Sequence, residues 1–252
     1  MSAQPLTILW RDAHLIVVQK PAGWLVHRTR LDAHEDRFVM QTLRDQIGQH
    51  VYPVHRLDKG TSGVLVLGLS SAVAASLGQA FARRQVGKRY VAMVRGWPSP
   101  QTVIDHALRP DDAPQDAPAQ PARTVLHRLA TWSLPVPVDR YATTRVALVE
   151  AWPQTGRRHQ IRRHLKHLAH PIIGDATHGK GAHNRWWAER LGCNRLWLHA
   201  AALALVHPVT QRPMRWQSRP DDAALNPDWA RLLREGDWQP IGASPSASLQ
   251  LV

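Results

Sequence analysis

The sequence has little cysteine, few acidic residues relative to basic ones, and no long apolar stretch. Cys193 is the single cysteine among 252 residues, so an internal disulfide is excluded, as is typical of proteins from a reducing compartment. No run is apolar and long enough to span a bilayer, and no basic start precedes an apolar run as in a signal peptide. The sequence therefore predicts a soluble, cytoplasmic protein that does not associate with membranes.

The shortage of acidic residues makes the chain strongly basic. Asp and Glu total 19 against 32 Lys and Arg, which gives a formal net charge of +13. Such an excess favours a polyanionic partner, because displacing counterions from phosphates drives binding. Arg supplies 27 of the 32 basic residues, and its guanidinium contacts phosphate bidentately and stacks on bases. A genome rich in Arg codons would produce the same composition, so the charge indicates a nucleic-acid partner without identifying one.

Residue patterning predicts one α+β domain around a mixed, largely antiparallel sheet. Apolar runs bounded by turn residues predict strands at 8–12, 15–20, 63–68, 90–94, 124–131, 143–152 and 196–207. Helical spacing predicts helices at 39–49, 158–169 and 228–235, and another that Ser70 or Ser71 caps. In that capped helix, the expected inward residues are Ala75, Leu77, Ala80 and Phe81. The predicted domain covers residues 1–241, with a mobile Pro- and Asp-rich loop at 110–123 and a frayed tail at 242–252.

The segment 51–63 is the strongest candidate for chemistry. It places Asp58 beside basic residues in a Gly-, Ser- and Thr-rich turn, directly before the apolar run at 63–68. A turn at a strand end can aim a side chain into a cleft while the sheet holds it rigidly. The same residue types also satisfy the backbone groups of an ordinary turn. No Gly-Lys-Ser/Thr follows, so the segment is not a phosphate-binding loop, and Asp58 stands as a candidate catalytic carboxylate.

Several motifs in the same order resemble the RluA family of pseudouridine synthases. The signature is His-Arg-Leu-Asp at 55–58, followed by Gly-Thr-Ser-Gly-Val-Leu at 60–65. Further matching elements are Lys-Pro-Ala-Gly at 20–23, Lys-Arg-Tyr at 88–90, Gly-Arg-Arg-His-Gln-Ile-Arg at 156–162, His-Pro-Ile-Ile-Gly-Asp at 170–175 and Leu-His-Ala at 198–200. The resemblance spans roughly residues 8 to 220 and implies a single pseudouridine synthase catalytic domain.

The resemblance implies three catalytic residues. Asp58 would be the carboxylate that adds to the base or to the anomeric carbon of the ribose. Arg162 would keep Asp58 ionised in a dry pocket, although sequence spacing alone does not bring the two residues together. Tyr90 would stack on the base and help to remove the proton from carbon five. The isomerisation involves no redox change and needs no energy input, so no cofactor and no metal is implied.

The resemblance also implies a set of RNA contacts. Arg56 would enter the space that an extruded uridine leaves in the duplex, since the reacting atoms are unreachable in a stack. Further RNA- or base-binding positions are His55, Thr61, Lys88, Arg157 and Leu198. Phosphate contacts are expected among the basic residues at 83, 84, 88, 157, 158, 163 and 166.

Within the family, the segments at 23–28 and 40–48 are most similar to members that modify uridine sixty-five of tRNA. No separate RNA-binding domain is expected before the first strand, and a monomer is predicted. Three alternatives remain open at this point: the same chemistry on ribosomal RNA or on another tRNA uridine, an RNA-binding module without activity, and a metallohydrolase. The metallohydrolase would use His159, His164, His167 and His170, but no Glu occupies the position of a catalytic base beside them.

Overall fold

The computed structural model describes residues 5–28, 35–110, 113–114 and 116–241. This part of the chain contains eleven strands and five helices. In chain order they are β1 (Ile8–Arg11), β2 (Leu15–Lys20), α1 (Val39–Ile47), β3 (Tyr52–Pro53), β4 (Ser62–Gly68), α2 (Ser71–Ala82), β5 (Gly87–Arg95), β6 (Gln101–Asp105), β7 (Arg123–Leu134), β8 (Thr144–Pro153), α3 (Gln160–His167), α4 (Gly181–Leu191), β9 (Leu198–Val206), β10 (Pro213–Gln217), α5 (Pro227–Glu235) and β11 (Gln239–Pro240).

The strands form one sheet in the order β1-β2-β4-β9-β5-β8-β7-β11, with β3 beside β4, β6 beside β7 and β10 beside β9. Strands β4 and β9 are parallel, whereas every other strand pair among the described residues is antiparallel. The prediction of an α+β fold with a mixed, largely antiparallel sheet is confirmed. No helix in the described ranges is long and apolar enough to cross a membrane.

Strand β4 lies between two hydrophobic clusters, which explains why all seven of its residues are buried. Leu65 and Leu67 point to the side covered by α1, while Val64 and Val66 point to the side covered by α2. A third, larger cluster joins β5, β7 and β8 to the helices α3, α4 and α5. The segment that precedes β4 is therefore attached to a strand that is packed on both faces.

Gly63 allows the close approach between β4 and β9. Its φ angle is +117°, and a Cβ atom there would lie 2.2 Å from the carbonyl oxygen of Ala200. A side chain at this position would push the two strands apart just where the candidate turn enters the sheet.

The predicted helices and strands are present, with shifted ends, and several elements were missed. Strands β3, β6, β10 and β11 and helix α4 were not predicted; β3 and β11 have only two residues each, β6 has one buried residue, and α4 begins without a capping side chain. The inward assignment of Ala75 is wrong, because it is exposed and Val73 is the buried neighbour of Leu77. Helix α3 begins at Gln160 because His159 has a left-handed backbone.

The two segments predicted to be mobile differ in what the structure describes. Residues 111, 112 and 115 and the whole of 242–252 lie outside the described residues. In the later part of the 110–123 segment, Gln120 pairs with Leu108 and Ala122 is buried, so this part packs against the domain.

Candidate active site

A cleft of about 820 Å³ opens where the turn before β4, the start of β5, the end of β8 and the start of α3 converge. All nine site residues named from the sequence line this cleft: His55, Arg56, Asp58, Thr61, Lys88, Tyr90, Arg157, Arg162 and Leu198. Four separate chain segments supply them, so the sheet brings together residues that are up to 143 positions apart, counting from His55 to Leu198. The volume is large enough to hold one extruded nucleotide.

Asp58 and Arg162 are in direct contact. Arg162 Nη1 donates a hydrogen bond of 3.0 Å to Asp58 Oδ2, although 104 residues separate the two. The Asp58 side chain is about one-fifth exposed and faces the cleft, whereas that of Arg162 is 10% exposed. The carboxylate of Asp58 is therefore open to the cleft and is paired with a largely buried guanidinium.

A second carboxylate, Asp175, fixes Arg162 from behind. Its two oxygens accept hydrogen bonds from Arg162 Nε at 2.7 Å and Nη2 at 2.8 Å, in the bidentate arrangement that orients a guanidinium. Although burial favours the neutral acid, Arg162 and the backbone N–H groups of His178 and Thr177 hold the pKa of Asp175 below its ordinary value. Asp175 therefore leaves Arg162 one orientation, in which Nη1 points at Asp58.

The turn that carries Asp58 is fixed by a completely buried lysine. Lys20 Nζ donates to the carbonyl oxygens of Trp24 at 2.6 Å, Pro21 at 2.9 Å and Lys59 at 3.1 Å. Burial lowers the pKa of Lys20 to about 7, while the charge of Asp58 acts in the opposite direction. Three carbonyl acceptors match the three N–H donors of an ammonium group, so Lys20 ties the turn at 20–24 to the residue after Asp58.

Behind the turn, Ser62 joins a buried polar network. Its hydroxyl contacts His199 Nδ1 at 2.9 Å and accepts a hydrogen bond of 2.7 Å from Arg195 Nη2. His199 Nε2 in turn lies 2.9 Å from the carbonyl oxygen of Ser218. Burial lowers the pKa of His199 to about 4, so the imidazole is neutral, with Nε2–H donating to Ser218.

His55 and Tyr90 form walls of the cleft. The ring of His55 stacks on Phe81 with centroids 4.6 Å apart, and its Nε2 accepts a hydrogen bond of 3.2 Å from the backbone of Val66. Burial lowers the pKa of His55 to about 3, so the imidazole is neutral. Burial, and the nearby charge of Asp58, raise the pKa of Tyr90 above its ordinary value, which keeps the phenol protonated. Tyr90 follows an irregularity in the pairing of β5 with β9, which turns its side chain towards the cleft.

Comparison with known proteins places this geometry in a family. Residues 14–167 match the family described as RNA pseudouridylate synthase. The chain belongs to the RNA pseudouridylate synthase family. The family assignment made from the sequence motifs is thus confirmed.

Relatives in the family are similar over most of their length. The chain is 49% identical to tRNA pseudouridine synthase C of Vibrio cholerae, over 93% of this chain and 97% of that protein. It is also 49% identical to the protein of that name from Salmonella typhimurium, over 93% and 91%. Among solved structures, human RNA pseudouridylate synthase domain containing 1 matches with a TM-score of 0.69 and 27% identity, covering 96% of this chain and 91% of that one.

In this member of the family, basic side chains surround the mouth of the cleft. Arg56, Arg84 and Arg158 are exposed and line it, and the half-buried Arg157 lies beside them. Lys88 lies deeper: its Nζ donates to the carbonyl oxygen of Thr155 at 2.9 Å, and burial lowers its pKa to about 8. Of the seven predicted phosphate contacts, those at 84, 88, 157 and 158 line the cleft, whereas those at 83, 163 and 166 do not.

Sequence reasoning missed three residues that contact Asp58 or its partners: Asp175, His159 and His178. Asp175 lies in the motif at 170–175, which does not indicate a contact with Arg162. His159 lies in the motif at 156–162 and in the metal hypothesis, and neither indicates a contact with Asp58. The other three histidines of that hypothesis have separate contacts: His164 with Thr124 and the carbonyl oxygen of His106, His167 with the ring of His106, and His170 with the carbonyl oxygen of Arg95. Within the described ranges, no group of three or more residues could hold a metal ion.

Proposed function

We propose that this chain isomerises uridine to pseudouridine in tRNA, with Asp58 as the reacting carboxylate. The observation that carries the proposal is the Asp58–Arg162 pair, fixed by Asp175 at the wall of a cleft of nucleotide size with a basic mouth. The relatives that are 49% identical over nearly their whole length are named tRNA pseudouridine synthase C. A site built from one chain's residues supports a monomeric enzyme.

The reaction defines what the side chains must do. The bond between ribose carbon one and uracil nitrogen one breaks, and a bond from the same carbon to uracil carbon five forms. Carbon five loses a proton and nitrogen one gains one, so the product is an isomer. Asp58 supplies the carboxylate that adds to the base or to the ribose, and Arg162 holds that carboxylate in place through its hydrogen bond. Tyr90, protonated because its pKa is raised, packs against the uracil ring and presents a hydroxyl donor.

Access to the cleft requires the uridine to leave its stack. A duplex is far too wide for the cleft, so a single nucleotide must be extruded into it. Arg56 is two residues before Asp58 and is exposed, which suits a side chain that fills the vacated space. Arg84, Arg157 and Arg158 contribute contacts to the flanking phosphates, which position the RNA without reading its sequence.

The substrate is tRNA, and the reacting residue is uridine sixty-five. This assignment depends on the segments at 23–28 and 40–48, which resemble the members of the family with that specificity, and on the names of the relatives. Segment 40–48 lies in α1 and its C-cap, packed under β2 and β4 next to the Asp58 turn.

The test incubates purified protein with unmodified tRNA transcripts and, in a separate reaction, with unmodified ribosomal RNA transcripts, followed by carbodiimide modification and primer extension of both. We expect one new stop, at uridine sixty-five. The matched control is Asp58→Asn, which should give no stop. A stop elsewhere in tRNA, or only in ribosomal RNA, would refute the substrate assignment, and no stop in either RNA would refute the activity.

A further inference from the structure

His159 has a backbone conformation that its position directly before helix α3 does not explain. It precedes α3 with φ 52° and ψ 24°, in the left-handed region that glycine and asparagine adopt more readily than histidine. Its side chain makes no capping hydrogen bond to the helix. Unfavourable conformations of this kind persist where the side chain serves another purpose.

The left-handed backbone directs the imidazole at Asp58. His159 Nε2 lies 3.8 Å from Asp58 Oδ2, the same oxygen that accepts the hydrogen bond from Arg162. On its other side, His159 Nδ1 lies 3.2 Å from His178 Nε2, and the two rings meet edge to face at 72°. The side chain of His159 is only 16% exposed.

His178 is anchored to the same loop that orients Arg162. The backbone N–H of His178 donates a hydrogen bond of 2.8 Å to Asp175 Oδ1. Two chains of contacts therefore link Asp175 to Asp58 Oδ2. One passes through Arg162, and the other passes through His178 and His159. Both chains of contacts end on the same oxygen of the reacting carboxylate.

The contact between the two histidines decides which nitrogen of His159 carries a proton. Burial lowers the pKa of His178; the charge of Asp175 raises it and that of Arg162 lowers it, and the net effect is a pKa below the ordinary value. If His159 Nδ1 donated to His178, a lone pair on His159 Nε2 would face a carboxylate oxygen, which is repulsive. The favourable arrangement has His178 Nε2–H donating to His159 Nδ1, which leaves His159 Nε2–H directed at Asp58.

We propose that His159 is a positioning residue that acts through Asp58. His178 directs the Nε2–H of His159 at Asp58 Oδ2, where it and Arg162 together hold that oxygen. Oδ1 is then the oxygen presented to the reacting carbon. The inference rests on the proposed function. At 3.8 Å the contact is longer than a hydrogen bond, and a movement of less than about 1 Å closes it when substrate binds.

Two substitutions at His159 separate this role from a structural one. Asparagine tolerates the left-handed backbone but is too short to reach Asp58, so His159→Asn should keep or raise the melting temperature. Its single-turnover rate should fall about tenfold, with RNA affinity within about twofold, as for other supporting residues of a site. Glutamine is long enough to present an N–H at the same place, so His159→Gln should recover the rate to within about threefold of wild type.

Ala169→Gly is the matched control for the backbone effect. Ala169 is exposed, lies just after the other end of α3 and has φ 61°, so glycine there removes the same kind of strain away from Asp58. We expect a melting temperature at or above that of wild type and an unchanged rate.

A double-mutant cycle tests whether His178 acts through His159. His178→Asn should lower the rate about threefold alone and cause no further loss in the His159→Asn protein. Three results would each overturn the inference. The first is additive losses of rate in the double mutant, and the second is an unchanged rate in His159→Asn. The third is an equal loss of rate and of melting temperature in both His159 variants. Absence of turnover by the wild-type protein would instead refute the proposed function, so the two failures are distinguishable.

Discussion

The inner wall of the cleft and its mouth are built in opposite ways. On the inner wall, Asp58, Arg162 and Asp175 are linked by hydrogen bonds of 2.7 to 3.0 Å, and Asp175 is fully buried. At the mouth, Arg56, Arg84 and Arg158 are exposed to solvent. A wall held at several points can keep a carboxylate in one orientation without reorganisation, whereas exposed arginines can adjust to a phosphate backbone.

From this difference we expect turnover and RNA affinity to have separate structural origins in this molecule. Substitutions in the wall should lower turnover and leave RNA affinity nearly unchanged. Substitutions at the mouth should lower RNA affinity and leave turnover nearly unchanged. If both classes lower turnover and affinity to the same extent, the wall and the mouth do not have separate roles.

Apart from the loss of the Asp58 carboxylate itself, the largest effect is expected for Arg162→Ala. Removal of the guanidinium leaves Asp58 and the buried Asp175 without their shared cation, so turnover should fall by at least about 100-fold while RNA affinity changes by less than about threefold. Tritium release from tRNA labelled at uracil carbon five measures the turnover, and filter binding measures the affinity. Equal losses of turnover and of RNA affinity would show that Arg162 acts in RNA binding, like the arginines at the mouth, rather than specifically in turnover.

A second effect concerns the stability towards acid of the buried network behind the Asp58 turn, which supports the wall. The unfolded chain protonates His199 near its ordinary pKa of 6.5, whereas in the folded protein burial lowers that pKa to about 4. Below pH 6.5 the unfolded state therefore binds more protons, and the free energy of unfolding should fall by up to about 1.4 kcal/mol per pH unit down to pH 4. Denaturant titrations at several pH values measure this slope.

Two variants isolate the contribution of His199 to that slope. His199→Gln removes the titrating group, so its stability should depend less on pH across the same window, whatever its absolute stability. His50→Gln is the matched control, because His50 is exposed and should leave the slope unchanged. The same slope in wild type and His199→Gln would show that the buried network does not contribute to the acid sensitivity.

The smallest effect is expected for Arg157→Ala at the mouth. Loss of one phosphate contact should weaken tRNA binding about threefold near 0.1 M salt and reduce the slope of log affinity against log salt by about one. The rate at saturating tRNA should stay the same. Arg219→Ala is the control, since Arg219 is exposed, pairs with Asp221 and does not line the cleft. An unchanged slope of log affinity against log salt for Arg157→Ala would show that Arg157 makes no phosphate contact with the RNA.

The sequence predicted the architecture of the sheet and the residues of the cleft, but not how they are held. The all-buried run of β4 and the motif at 55–58 are local patterns, so they were visible in the sequence. The Asp58–Arg162 contact spans 104 residues and is set by the sheet, so only the resemblance suggested it. Asp175 and His159 lie in the motifs at 170–175 and 156–162, but a motif does not show which side chains a residue contacts in the fold. His178 lies outside the motifs, and its contacts with Asp175 and His159 are set by the folded loop. Strand β6 was missed because its residues are mostly polar and exposed.

The most direct test of the central claim compares wild type with Asp58→Asn in single-turnover tritium release and in tRNA binding. Asparagine keeps the size and the hydrogen-bonding oxygen of the side chain but removes its charge and its nucleophilic carboxylate. The account predicts release from the wild-type protein, no measurable release from Asp58→Asn, and tRNA affinities that agree within about twofold. Measurable turnover by Asp58→Asn would contradict it.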